Sequence, residues 1–135
     1  MKTKAKKKTK SLPSLKKTLQ LLVNSYVRKR DAGLPCISCG EFKPDMQAGH
    51  FYAVKGYDGL RFDLDNIHRE CQSCNCFNES HLINYADNIF DKLGKERYMA
   101  LKQQAADYKM NGYKWSRNEL EEMIARFKQM LSEQN

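Results

Sequence analysis

The 135-residue sequence predicts an α+β fold, in which a small two-stranded ribbon lies between an N-terminal helix and a set of C-terminal helices. Apolar residues recur at helical spacing towards both ends of the chain. Residues 35–78 between them hold all five cysteines, two of the three histidines and short aromatic or β-branched segments. The expected organisation is a basic arm (1–11) and one domain made of an N-terminal helix (12–33), a core (34–80) and a helical extension (81–135).

Positive charge is concentrated at the N-terminus. Residues 1–30 carry eleven Lys or Arg and no acidic residue, whereas the rest of the chain has more acidic than basic residues. We expect residues 1–11, MKTKAKKKTKS, to be disordered, because they cannot bury enough apolar surface to fold. Such an arm commonly contacts phosphate backbones through counterion release, although a solvated tail has the same composition.

The first helix is predicted from Ser14, as its N-cap, to the helix-ending residues Gly33 and Pro35. Its apolar face repeats at helical spacing and consists of Leu15, Leu19, Leu22, Val23, Tyr26 and Val27. Its other face is basic and consists of Lys16, Lys17, Arg28, Lys29 and Arg30. We expect this basic face to contact DNA, or otherwise to lie in water.

The ribbon is predicted from two segments rich in aromatic, β-branched or alternating residues, GHFYAV (49–54) and LRFDLDN (60–66). The turn-rich link KGYDG lies between them. Three apolar stripes then predict three helices that serve as scaffold. The stripes are Leu82, Ala86, Ile89, Phe90 and Leu93; Tyr98, Leu101, Ala105 and Tyr108; and Leu120, Met123, Ile124, Phe127 and Leu131. Gly94 and Gly112 end the first two helices, and Ser116 with Glu119 forms a capping box for the third.

Four cysteines form two pairs at the spacing of a metal site, Cys36-x-x-Cys39 and Cys71-x-x-Cys74. Zinc prefers four soft ligands in a tetrahedron, and each C-x-x-C turn presents two sulfurs to one side of the ion. The pairs therefore predict a structural zinc site, with room for a hairpin between them. The fifth cysteine, Cys76, is expected to behave as a small hydrophobic residue.

The order of the motifs resembles a known group of enzymes. C-x-x-C, Gly49-His50, Asn66 and C-x-x-C followed by Asn75 resemble, over residues 36–79, the zinc-bound HNH nucleases with their ββα-metal (His-Me finger) core. The segments LLVNSYVRKRDAG, CISCG, AGHF and LRFDLDNIHRECQSCN resemble, over residues 18–94, the phage lambda NinG family, also called Rap. Its members are recombination nucleases that act on branched DNA.

The resemblance implies a role for each of three residues. His50 is the general base, because a histidine with a pKa near 6.5 can accept a proton from water at neutral pH. Asn75 binds a catalytic Mg²⁺ or Mn²⁺ ion, since such hard cations prefer oxygen ligands. Asn66 positions the His50 ring or the loop that carries it, and the zinc keeps His50 and Asn75 at a fixed separation.

One position departs from the HNH pattern. Many HNH sites have an aspartate directly before the histidine, where this chain has Gly49. Another side chain should then complete the catalytic metal site. We expect Glu79, one helical turn after Asn75, to do so. His81, which would lie on a different helix face, is the alternative.

Two more side chains are expected to contact the DNA backbone. Arg61 belongs to the predicted hairpin, and His68 lies between Asn66 and the second C-x-x-C pair. For His68 we favour the other interpretation, a histidine that packs on the zinc knuckle and forms a hydrogen bond with a backbone carbonyl.

The sequence thus predicts a metal-dependent DNA endonuclease that is selective for branched recombination intermediates such as Holliday junctions and D-loops. Symmetric cleavage of a junction needs two active sites, so we expect a homodimer, with phage recombination proteins as further candidate partners. The alternatives are a non-catalytic zinc-ribbon DNA-binding module and a protein–protein adaptor. No apolar run approaches the roughly 20 residues of a membrane span. We expect the protein in the reducing cytoplasm of a bacterial host, encoded by a phage or prophage.

Overall fold

The computed structural model describes residues 9–77 and 81–134 and contains, within these ranges, four α-helices and one two-stranded sheet. The helices are α1 (Leu12–Arg30), α2 (His81–Leu93), α3 (Lys95–Asn111) and α4 (Arg117–Glu133), and the strands are β1 (Met46–His50) and β2 (Ile67–Cys71). A 3₁₀ turn covers Asp58–Leu60, and a π-helical turn covers Ser73–Phe77. Residues 1–8 of the predicted basic arm and the candidate ligand Glu79 lie outside the described residues. None of the described helices is long and apolar enough to cross a membrane.

Helix α1 begins earlier than predicted, because Ser11 caps it in place of Ser14. The Ser14 amide donates to Ser11 Oγ at 3.3 Å, so the expected N-cap residue lies inside the first turn. The predicted apolar face is buried at Leu15, Leu19, Val23 and Val27. These residues share a core cluster with side chains from both strands and from α4, namely Ala48, Ile67, Leu120 and Phe127.

The two strands are antiparallel, and their positions differ from the predicted ones. Only residues 49 and 50 of the predicted segments 49–54 and 60–66 belong to a strand. Met46 pairs with Cys71 and His50 pairs with Ile67, so β1 ends where the predicted strand 49–54 begins. The segment 60–66 is a turn and loop, and its prediction as a strand is wrong. Its alternation has another cause: Leu60 and Phe62 are buried in two different core clusters.

The C-terminal helices have the predicted boundaries but a different buried face on α2. Gly94 and Gly112 both have positive φ and end α2 and α3, and the capping box at the start of α4 is present. On α2 the buried residues are Tyr85, Ile89 and Leu93, whereas Leu82 and Phe90 of the predicted stripe are exposed. Tyr85 is buried instead, and its hydroxyl donates to the Gly49 carbonyl of β1 at 2.6 Å.

A buried ion cluster around Asp31 joins α1, β2 and α2. Asp31 accepts hydrogen bonds from Arg30 at 2.9 Å, from Lys92 at 2.8 Å and from the Arg69 amide at 3.1 Å. Burial acts to raise the pKa of Asp31, but the hydrogen bonds from Arg30 and Lys92 outweigh it and lower that pKa to about 2. The carboxylate is therefore charged and paired at neutral pH.

Replacing Asp31 by alanine is expected to lower the free energy of unfolding by about 2 kcal/mol, because it removes the buried acceptor of hydrogen bonds from the partly exposed Arg30 and Lys92 and from the Arg69 amide. Denaturant unfolding at pH 7 measures the change. The matched control is Asp87→Ala, an exposed aspartate of α2, which should stay within about 0.5 kcal/mol of the wild type. Equal effects of the two substitutions would contradict a structural role for the Asp31 cluster.

Candidate functional site

The four cysteines of the two C-x-x-C pairs come together in the structure. Their Sγ atoms all lie within 4.8 Å of one another, and those of Cys39 and Cys71 are 3.9 Å apart. Zinc–sulfur bonds near 2.3 Å in a tetrahedron separate two sulfurs by roughly 3.8 Å. The four cysteines can therefore hold a zinc ion.

The cysteine cluster joins three parts of the chain. Cys36 and Cys39 come from the loop after α1, Cys71 ends β2, and Cys74 lies in the π-helical turn. The amides of Cys39 and Cys71 donate to Cys36 Sγ at 3.4 and 3.3 Å, and such bonds favour the thiolate form that binds metal. A zinc ion here would hold the end of the sheet against the turn that carries Asn75.

His50 is the last residue of β1, and its ring is held in one orientation. Nε2 lies 2.8 Å from the carbonyl oxygen of Arg61. A carbonyl only accepts, so Nε2 carries the proton and Nδ1 of the neutral ring is left as a proton acceptor. Burial lowers the pKa of His50 below its ordinary value of 6.5, and the charge of Arg61 acts in the same direction. The ring is therefore neutral at pH 7.

Asn66 is fully buried and ties together the loop between the strands. Its Oδ1 accepts from the Tyr52 amide at 2.8 Å, and its Nδ2 donates to the carbonyls of Tyr52 and Leu60 at 3.0 and 3.1 Å. The same loop carries Arg61, whose carbonyl holds the His50 ring. Asn66 thus contacts the loop backbone rather than the ring itself.

Asn75 lies on a different face of the sheet from His50. Alternation along β1 places Gln47 and Gly49 on one face, and Ala48 and His50 on the other. Asn75 belongs to the first face, because its Nδ2 donates to Gln47 Oε1 at 2.8 Å. Within the described part of the chain, no hydrogen bond joins His50 to Asn75.

Glu70, to which the sequence assigned no role, lies beside Gly49 and Asn75. A Cβ placed on Gly49 would be 2.2 Å from Glu70 Oε1 and 3.1 Å from Asn75 Oδ1. The Glu70 side chain is fully buried, and its Oε2 accepts hydrogen bonds from Ser38 Oγ and from His81 Nδ1, the latter at 2.7 Å. Its Oε1 has no hydrogen-bond partner among the described residues.

His81, the alternative candidate that was expected on a different helix face, reaches Glu70 in this site. That expectation treated the chain after Asn75 as one regular α-helix, whereas the structure has a π-helical turn over Ser73–Phe77. Glu70 was missed because its role depends on strand register, which pairs it with Gln47. The only sequence signal was a lone acidic residue directly before a cysteine ligand.

His68 is not available to a DNA phosphate in this structure. It is 1% exposed, its Nε2 donates to the Asp65 carbonyl at 2.7 Å, and its Nδ1 accepts from Arg30 at 3.2 Å. Burial lowers the pKa of His68 to about 4, and the charge of Lys92 adds to that effect. The ring is a neutral, fully bonded part of the core, with the hydrogen bond to a backbone carbonyl that was favoured for it, and its candidate role in DNA binding is corrected.

Two arginines expected at the DNA surface bond within the protein instead. Arg30 donates from Nη1 to the Leu64 carbonyl at 2.8 Å and from Nη2 to the Ile67 carbonyl at 2.7 Å. These bonds hold the start of β2 against α1, so Arg30 is corrected to a structural residue. Arg61 is half-buried, and its Nε donates to Gln20 Oε1 at 3.1 Å.

The basic face of α1 is thus narrower than its sequence indicates. Lys17, Arg28 and Lys29 are exposed along the helix, whereas Lys16 is half-buried and lies 3.5 Å from Asp58 Oδ2. These exposed cations are the ones on α1 that are placed to meet a phosphate backbone.

Comparison with known proteins gives one consistent result. The family described as "Bacteriophage Lambda NinG protein" matches residues 1–135. Over 118 residues the chain is 32% identical to "Protein ninG" of Escherichia phage lambda and of Salmonella phage P22, which covers 87% of this chain and 55% and 56% of those relatives. The chain therefore spans about half the length of these relatives. No solved structure matches it.

Proposed function

The chain belongs to the bacteriophage lambda NinG family, and from this membership we propose that it is an HNH-type DNA endonuclease that cuts branched intermediates of phage recombination. The observation that carries the proposal is the state of His50. A hydrogen bond from its Nε2 to a backbone carbonyl leaves Nδ1 unprotonated, and burial keeps the ring neutral. A neutral, oriented imidazole is what a general base requires.

His50 would act on a water molecule. Its Nδ1 takes a proton as the water oxygen attacks the phosphorus, and the bond from phosphorus to the 3′ oxygen breaks. The products carry a 5′-phosphate and a 3′-hydroxyl. A divalent Mg²⁺ or Mn²⁺ ion, bound through the side-chain oxygen of Asn75, would offset negative charge on the phosphate.

The surroundings of His50 support this role. The buried amide of Asn66 holds the loop whose Arg61 carbonyl orients the ring. The cysteine cluster holds the turn that carries Asn75 against the end of β2. Because His50 and Asn75 lie on different faces of β1, the scissile phosphate would lie across the end of the hairpin.

The basic N-terminal region would supply affinity for DNA. Lys17, Arg28 and Lys29 are exposed on α1, and the lysine-rich arm precedes them. Contacts of this kind neutralise phosphates without reading base sequence. Selectivity for branched DNA would then come from shape.

We also propose a homodimer, with one active site for each strand of a symmetric junction. An apolar face of α2 is exposed at Leu82, Ile83 and Phe90 and is available for such an interface. A monomeric mass in light scattering at micromolar concentration would rule out this part of the proposal.

The test is a cleavage assay on a four-way junction and on a linear duplex of the same sequence, with Mg²⁺, with Mn²⁺ and with a chelator that leaves the zinc in place. We expect cleavage of the junction only when a divalent ion is present. Binding without cleavage under every condition would refute the nuclease and favour a DNA-binding module. Neither binding nor cleavage would favour an adaptor.

The pH dependence of the cleavage rate is a further prediction. A general base must be unprotonated, so activity should rise with pH through the pKa of His50 and then level off. Because burial lowers that pKa, the midpoint of the rise should lie below pH 6.5. Initial rates at saturating DNA measure it, with junction binding measured in parallel. A midpoint above pH 7 would contradict the assignment of His50.

The zinc-ribbon module without catalysis is retained as a second candidate, because one observation favours it. Gly49 offers no side-chain oxygen for a catalytic ion, and His50 lies on the opposite face of the strand from Asn75. In such a module the cysteine cluster and the basic helix keep their roles. His50 and Asn75 then only stabilise the hairpin and its turn.

A further inference from the structure

The buried carboxylate of Glu70 is placed to supply the oxygen that position 49 lacks. We propose that Glu70 Oε1 and Asn75 Oδ1 together bind the catalytic divalent cation, so that the carboxylate ligand comes from β2 rather than from the residue before His50. This inference rests on the proposed nuclease function and names the metal site for it.

The two oxygens border the same small space beside Gly49. Both lie near the same point, the Cβ position of residue 49, at 2.2 Å for Glu70 Oε1 and 3.1 Å for Asn75 Oδ1. Asn75 is held by the hydrogen bond from its Nδ2 to Gln47 Oε1, while its Oδ1 lies beside Gly49. Carboxylate and amide oxygens are the ligands that Mg²⁺ and Mn²⁺ prefer.

Glu70 Oε1 lacks a hydrogen-bond partner among the described residues, which favours a cation bound to it. The side chain is fully buried, yet Oε1 has no hydrogen-bond partner in the described part of the chain. Buried polar atoms without a partner are rare, since each costs desolvation free energy that nothing offsets. A cation beside Oε1 removes this cost.

The other oxygen of Glu70 is held by two donors. Ser38 Oγ and His81 Nδ1 both donate to Oε2, which orients the carboxylate with Oε1 towards Asn75. Ligands of metal ions are commonly oriented in this way by hydrogen bonds from a second layer of residues. His81 is thus a positioning residue for Glu70 rather than a ligand of the ion.

Gly49 leaves the space that the Glu70 carboxylate occupies. A Cβ at 2.2 Å from Oε1 cannot be accommodated without moving the carboxylate. The absence of a side chain at position 49 is therefore what allows Glu70 to reach Asn75.

The test measures Mn²⁺ binding to zinc-loaded protein, by calorimetry and by loss of the free-ion signal in electron paramagnetic resonance. Glu70→Gln keeps the size of the side chain but weakens its affinity for a cation, and we expect Mn²⁺ affinity to fall by about tenfold or more. The matched control is Glu41→Gln, since Glu41 is an exposed carboxylate next to the first cysteine pair. It should bind Mn²⁺ like the wild type.

Zinc content and the unfolding transition of each variant are measured alongside. Unchanged Mn²⁺ affinity in folded Glu70→Gln would overturn the inference. If Glu70→Gln does not fold, the wild type decides: Fe²⁺ with peroxide and ascorbate should cut or oxidise the chain near residues 49, 70 and 75, and excess Mg²⁺ should suppress it. Damage centred elsewhere would overturn the inference. Mn²⁺ binding that depends on Glu70, without DNA cleavage, would instead refute the proposed function alone.

Discussion

Replacement of Cys71 by serine is expected to release zinc. The sheet and the turn next to it should then no longer unfold in a cooperative transition. Cys71 ends β2 and lies 3.9 Å from Cys39 within the four-cysteine cluster. Structural zinc contributes on the order of 10 kcal/mol in small domains, which is as large as the whole stability of a typical domain. The loss of one thiolate therefore removes more free energy than the sheet can replace.

With zinc bound to the four cysteines, the end of the sheet at Met46 and Cys71 would depend on the metal, because few apolar side chains pack there. The cysteine cluster has one partly buried apolar neighbour, Met46, whereas the two larger core clusters lie on α1 and α4 and on α2 and α3. A two-stranded hairpin is marginal by itself. We expect helices α1 and α4, which share a core cluster, to retain some structure in the variant, while the hairpin and the turn with Asn75 lose theirs.

Zinc content by mass spectrometry and thermal unfolding by circular dichroism measure this outcome. The chain offers a matched control in Cys76→Ser, because Cys76 is exposed and lies outside the cluster. The control should keep one zinc per chain and the wild-type transition. A Cys71→Ser protein with full zinc content and unchanged unfolding would show that these cysteines do not hold a structural metal.

Replacement of His50 by alanine is expected to reduce the cleavage rate at least a hundredfold while junction binding is preserved. General base catalysis typically contributes about 10²–10⁴-fold to a rate. Among the described residues, the His50 ring forms one hydrogen bond, to the Arg61 carbonyl. Removal of the ring should therefore leave the loop in place, because Asn66 still holds it. The effect should therefore appear in kcat rather than in affinity for DNA.

A rescue experiment separates this catalytic role from a structural one. Added imidazole should restore part of the activity of His50→Ala, because it can occupy the vacated space and accept the proton. His68→Gln provides the histidine control: it alters a buried, neutral ring and should lower stability but leave the rate per folded molecule close to that of the wild type. Loss of DNA binding in His50→Ala, or full activity, would contradict the assignment.

The sequence predicted those parts of the structure that are encoded within a few residues. The C-x-x-C spacing presents two sulfurs from one turn, and the two pairs do form a four-cysteine cluster. Ser116 and Glu119 are three residues apart and form the predicted capping box. Gly94 and Gly112 end their helices through a backbone conformation that glycine adopts easily.

The positions of the strands could not be predicted in the same way. Alternation in 60–66 was interpreted as a strand, but it arises because Leu60 packs towards α2 and α3 and Phe62 towards α1 and α4. A period of two residues reports that alternate side chains are buried, and a loop between two cores meets that condition as well as a strand does. Only the long-range partners distinguish the two cases.

The sequence by itself therefore determined the cysteine cluster, the helix ends at Gly94 and Gly112, the capping box at Ser116 and the family, because each depends on residue identity at short spacing. The tertiary structure alone decided that His68 and Arg30 are buried and bonded within the core. It also decided that Glu70 meets Asn75 across Gly49, since this meeting depends on the pairing of Gln47 with Glu70. Strand register and the burial of such polar side chains are set by contacts between distant residues, and local spacing carries no information about them.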